Sequence, residues 1–159
     1  MTSKFGHEKD LHYMKLALDQ AQMAVVSGEV PIGAVIIDAQ GHPIGQGHNR
    51  VEQARCQTAH AEALAIQQAC HTKADWRLDG CWLYVTLEPC LMCIGLIKLS
   101  RVEGVVFGAA SPLFGYRLDN NVAYQLYKDD TITIIEGVCA SESATILQRF
   151  FKQRRGMSE

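Results

Sequence analysis

A chain of 159 residues, 48% hydrophobic and 20% charged, is long enough to bury one substantial core, and that balance excludes wholesale disorder. Its 15 basic and 17 acidic side chains leave a net charge of −2, so a nucleic-acid partner would have to be met by a local patch. No run approaches the roughly 18 consecutive apolar residues of a membrane span.

Leu11, Met14, Leu18, Ala21 and Val25 recur at spacings of three and four, the stripe of an amphipathic helix that Asp10 would cap and Gly28 would stop. The first 28 residues lack the apolar core of a signal peptide, so the protein is expected in the cytoplasm. Val30 to Ile37 is a β-rich run, Asp38 to Gly41 a turn, and Pro43 to His48 a second strand completing a hairpin. Ala59 to His71 predicts a helix with Thr58 as its cap. Cys81 to Thr86 reads as a buried strand, and Pro89 suits the first turn of a helix running to Ser100. Val102 to Phe107 is a further strand, Thr131 to Glu136 a weaker one, and Ser143 to Arg154 a closing helix. No repeat, low-complexity tract or linker interrupts residues 1–159, which are expected to form one domain. Strands alternating with helices predict an α/β layered fold, and the hairpin makes its sheet mixed. Active sites of such folds collect at the ends of strands.

Two short motifs carry chemistry: His60-Ala61-Glu62 and Pro89-Cys90-Leu91-Met92-Cys93. In a reducing compartment a close cysteine pair binds metal or does redox chemistry rather than forming a structural disulfide. Cys90 and Cys93 can face one zinc ion from a single turn, and a helix start favours their thiolates. His60 would be the third ligand, leaving a fourth position open as in catalytic rather than structural zinc sites. Glu62 lies two residues from His60 and does not share its helix face, so it is a poor chelator beside it. Its longer arm could reach over the metal as a general acid and base. H-x-E followed by P-C-x-x-C is the pattern of zinc nucleobase deaminases, whereas a redox module gives Glu62 no task. Cys56, Cys70, Cys81 and Cys139 are expected to be packing residues or incidental thiols.

Val30-Pro-Ile-Gly-Ala-Val35, His48-Asn49-Arg50, Thr58-Ala-His-Ala-Glu62, Trp76-Arg-Leu and Leu83-Tyr-Val-Thr-Leu-Glu-Pro-Cys90-Leu-Met-Cys93 extend the pattern, with Phe150-Phe151 and Arg154-Arg155 near the end. Over nearly its whole length the chain resembles the bacterial tRNA-specific adenosine deaminases of the cytidine-deaminase-like superfamily. The resemblance implies a three-layer α/β/α fold around a mixed five-stranded sheet, and a homodimer with one zinc ion per subunit. It implies a tRNA anticodon loop as partner, whose wobble adenosine becomes inosine. Glu62 would carry protons from water to the base and its departing amine. Asn49 would hydrogen-bond the base, or else cap a turn. Val30 and Leu87 would line the pocket, or else pack in the core.

Arg149, Lys152, Arg154 and Arg155 make the closing helix locally basic. Ile146, Leu147, Phe150 and Phe151 have the spacing of its core face, so Phe150 is expected to be buried. Phe151, Arg154 and Arg155 stand as RNA-contact candidates. One segment departs from the family: Ser111 stands where an aspartate is usual, and Leu113-Phe114 where small residues are usual. That loop borders the substrate in the family, so Phe114 or Tyr116 would stack on a base or fill an apolar gap. The altered loop and modest charge keep a second reading open, a deaminase of a free nucleobase or nucleoside (guanine, cytosine or related) on the same zinc site.

Overall fold

The structure is a computed structural model and describes residues 1–118 and 132–157. The elements follow as α1 (His7–Val26), β1 (Gly33–Ile37), β2 (Pro43–His48), α2 (Val51–Ala54), α3 (Ala61–Lys73), β3 (Trp82–Leu87), α4 (Leu91–Leu99), β4 (Gly104–Ala109), β5 (Thr133–Glu136) and α5 (Ala140–Gly156). The five strands form one sheet in the order β2-β1-β3-β4-β5. β1 runs antiparallel to both β2 and β3, while β3, β4 and β5 are parallel, so the sheet is mixed as expected.

Alternate side chains of a strand face opposite sides, and here both sides are covered. Ala34 and Ile36 of β1 join Ala61, Ala65 and Ile66 of α3 and Ile94 and Ile97 of α4. Val35 and Ile37 turn the other way, toward Tyr13, Met14 and Ala17 of α1. α5 packs against β4 and β3. The result is the α/β/α layering that the resemblance implied.

Several boundaries moved, each for a local reason. Asp10 caps nothing: it lies inside α1, where its carboxylate accepts the Ser3 N–H at 2.9 Å and the Tyr84 hydroxyl at 2.7 Å, while Gly6 occupies the cap. β1 starts at Gly33 because the Ile32 N–H turns back to the Val30 carbonyl at 2.8 Å instead of joining a ladder. Thr58 is not the cap of α3; His60 is. Pro89 stands outside α4, whose cap is Cys90. Thr131, the expected start of the weak strand, lies outside the described residues. The turn at Asp38 is as expected, its Oδ1 accepting the N–H groups of Gln40 and His42 at 2.9 and 2.8 Å.

Small residues bring α3 close to the sheet edge. A Cβ at Gly45 would stand 2.3 Å from the Ala65 carbonyl oxygen, and one at Gly47 2.7 Å from that of Ala61. Backbone therefore packs on backbone, and the start of α3 is held beside the end of β2.

Candidate active site

Chain direction gathers the site at one end of the sheet. Gly33 pairs with His48 at the start of β1 and end of β2, and the Gly33 N–H reaches the Thr86 hydroxyl near the end of β3 at 3.2 Å. Val30, Asn49 and Leu87 lie within three residues of these points, at the end where α3 and α4 begin. Asn49 is buried and its N–H bonds the Ile32 carbonyl at 3.0 Å; Val30 and Leu87 are half-buried.

His60 and Cys90 occupy equivalent places as the extended-backbone caps of α3 and α4. Cys93 lies in the first turn of α4, so a helix N-terminus favours charge on both sulfurs. His60 Nδ1 stands 3.6 Å from Cys90 Sγ and 3.4 Å from Cys93 Sγ. All three ligand atoms lie within 4.8 Å of one another. Tetrahedral zinc, with Zn–S of about 2.3 Å and Zn–N of about 2.05 Å, separates nitrogen from sulfur by about 3.6 Å. The donor set thus fits zinc in type and spacing. Among the described residues this is the one His, Cys, Asp and Glu cluster of that geometry.

Electrostatics support an ion there. The hydrogen bond from Cys93, followed by His60, pulls the Cys90 thiol down to about 4, against the opposing effect of burial. The same hydrogen bond pushes Cys93 up, with burial adding to it. Glu62, the second residue of α3, is 4% exposed. Burial pushes its carboxyl up to about 7, with the Cys90 charge adding to the effect. Its side chain also meets the Cys93 thiol. A carboxyl near neutrality beside the ligand cluster is suited to taking up and releasing protons.

Residues 7–109 match the family of the cytidine and deoxycytidylate deaminase zinc-binding region. A tRNA-specific adenosine deaminase of Bacillus subtilis (strain 168) is 42% identical over 151 residues, spanning 92% of this chain and 91% of that protein. The chain belongs to this zinc-binding deaminase family, among its tRNA-specific adenosine deaminases. A solved structure from studies of A-to-I editing by tRNA:A34 deaminases at the wobble position of transfer RNA is 38% identical to this deaminase. It superposes with a TM-score of 0.78, over 86% of this chain and 99% of that one. The guanine deaminase of Bacillus subtilis is 30% identical, with a TM-score of 0.63 over 94% of each chain.

Other expectations for this deaminase resolve at the surface. Phe150 is buried and Phe151 is 44% exposed, as the spacing suggested for the first but not the second. Arg154 and Arg155 lie exposed in the last turn of α5, and Arg154 Nη2 donates to the Gly28 carbonyl at 3.2 Å. Gly28 precedes Val30 by two residues, so that basic turn lies toward the same end of the molecule as the ligand cluster. In the atypical loop Tyr116 fills the core and Phe114 is 75% exposed. All six cysteines are free: Cys81 is buried, Cys70 and Cys139 half-buried, and Cys56 exposed.

Sequence reasoning missed two buried carboxylates. Glu29 accepts the Glu52 and Gln53 N–H groups at 3.3 and 2.6 Å, capping α2, an element without periodic signal. Glu88 sits in a quoted motif, but its partner Arg117 is 29 residues away, beyond the reach of local pattern.

Proposed function

We propose that this deaminase converts adenosine to inosine by hydrolysis at the wobble position of tRNA anticodons. The observation that carries the chemistry is the three-donor cluster of His60, Cys90 and Cys93 with the buried Glu62 carboxyl against it. His60, Cys90 and Cys93 would hold one zinc ion per subunit. The metal would supply Lewis acidity toward water, whose pKa can fall from 15.7 to about 7 in such sites. Glu62 takes a proton from the attacking water as the C6–O bond forms. It delivers that proton to the ring nitrogen and assists the amine in leaving as ammonia, so the net reaction is adenosine plus water to inosine plus ammonia. Asn49 hydrogen-bonds the base, and Val30 and Leu87 form the apolar pocket around it. Phe151, Arg154 and Arg155 meet the RNA. The chain acts as one domain, in the cytoplasm and as a homodimer; no helix among the described residues is long and apolar enough to cross a membrane.

The choice of tRNA rests on relatives. The tRNA-specific adenosine deaminases of three bacteria are 37% to 42% identical over at least 91% of this chain. The 30% identity to a guanine deaminase gives a free nucleobase as the second reading. An anticodon stem-loop with a wobble adenosine, offered beside free adenine, guanine, cytosine and their nucleosides, separates the two. Inosine in the stem-loop, read by nucleoside mass spectrometry, supports the first. Ammonia released only from a free base or nucleoside supports the second.

A further inference from the structure

We propose that Arg117 is a positioning residue: acting through Glu88, it fixes the loop 111–117 that walls the cleft beside Cys90, and so sets affinity for the RNA without joining the proton transfers. The inference rests on the RNA-deaminase reading above.

Glu88 directly follows β3, and its side chain is 3% exposed. A carboxylate so buried must be paired or it is strongly destabilising. Here both ends of one loop do the pairing. Ser111 N–H donates to Oε2 at 3.0 Å and Arg117 N–H to Oε1 at 3.3 Å. The Arg117 guanidinium adds a fork, Nε to Oε1 at 3.0 Å and Nη2 to Oε2 at 3.3 Å. Between these anchors the loop wraps the carboxylate, because a Cβ at Gly115 would stand 2.5 Å from the Glu88 carboxyl carbon. The other end of the guanidinium pairs with Glu136 of β5, and the group lies 5.1 Å from the Phe107 ring centroid.

What the clasp holds faces the site. A cavity of about 310 Å³ is lined by Cys90, Leu91, Met92, Leu113, Phe114 and Tyr116, among others. Leu113 and Phe114 are 77% and 75% exposed, so their own packing does not fix them. The loop's position comes from the Glu88 carboxylate, the Tyr116 N–H bond to the Pro89 carbonyl at 3.0 Å, and the bridge from Gly115 to Cys90. The metal ligands sit on the caps and first turn of two helices packed on each other, and the loop meets that set at the backbone of Cys90, where Gly115 bridges, and not at a ligand side chain of α3. Loosening the clasp should therefore displace the cleft wall and spare the metal.

The test compares wild type, Arg117→Ala, Arg117→Lys and Glu136→Gln on a wobble-adenosine stem-loop, with zinc content and amide hydrogen exchange of residues 111–117. Arg117→Ala should keep stoichiometric zinc, raise KM roughly tenfold or more, change kcat little, and speed exchange at Ser111 and Arg117. Arg117→Lys should recover part of the affinity, since a point charge meets the carboxylate without the fork. Glu136→Gln should resemble wild type, because that partner is 61% exposed. Unchanged KM and exchange in Arg117→Ala would overturn the proposal, and so would loss of zinc, which would make Arg117 a support of the metal site. If Arg117→Ala does not fold, the same readouts on Arg117→Lys decide. A failure of the RNA reading shows separately, as a wild type that ignores the stem-loop. Exchange in the variants then decides the clasp, faster exchange upholding it and unchanged exchange refuting it.

Discussion

His60 and Glu62 lie two residues apart and both meet the Cys93 thiol, yet they are held differently. One ends an extended segment with its Nδ1 toward two sulfurs, while the other has entered α3 and is sealed from water. The two positions should separate under mutation. Glu62→Gln keeps the volume and should retain stoichiometric zinc while turnover falls by about 10²- to 10⁴-fold, the usual contribution of a positioned acid–base group. Metal analysis beside a rate assay checks it, and zinc loss would make Glu62 structural. Cys90→Ala should lose both zinc and activity, and stoichiometric zinc in that variant would remove Cys90 from the ligand set. Each motif was legible because its own residues lie two or three apart, within one helical turn, although 30 residues separate His60 from Cys90. Asp10 was misread because its partner Tyr84 is 74 residues away, so local pattern offered only a cap.

At the scale of elements, the strongly periodic or β-rich segments were all placed, and the errors gathered at their ends. There a single hydrogen bond decides, as at Ile32, whose N–H is taken by a local turn. The glycines of β2 were unremarked in the sequence, since close backbone approach leaves no periodic trace. They position α3, and with it His60. Gly45→Ala would force a Cβ against the Ala65 carbonyl, 2.3 Å away, and push the helix outward. Overpacking of that kind costs about 1–3 kcal/mol. Denaturant unfolding should show that loss, and a zinc titration should show weaker binding, because the first ligand moves with the helix. Unchanged values in both would mean that α3 is placed by other contacts.

For the whole molecule, the net charge of −2 predicts little long-range attraction to RNA, so binding must come from local contacts such as the last turn of α5. KM for a stem-loop should still rise with salt, log–log, by about 0.7 per single-stranded phosphate contact, whereas a free base should respond little. A salt-independent KM for RNA would argue against phosphate contacts. The ligand geometry has a thermodynamic corollary. His60 and Cys90 are 30 residues apart and on different helices, so an ion joining them closes a span of chain that the unfolded polypeptide leaves open. Metal occupancy and folding are then one linked equilibrium, in which each tenfold rise in free zinc above its dissociation constant adds about 1.4 kcal/mol to the folded state. A chelator should therefore speed limited proteolysis of the chain and added zinc should slow it, and equal rates in both would mean that the fold does not lean on the metal.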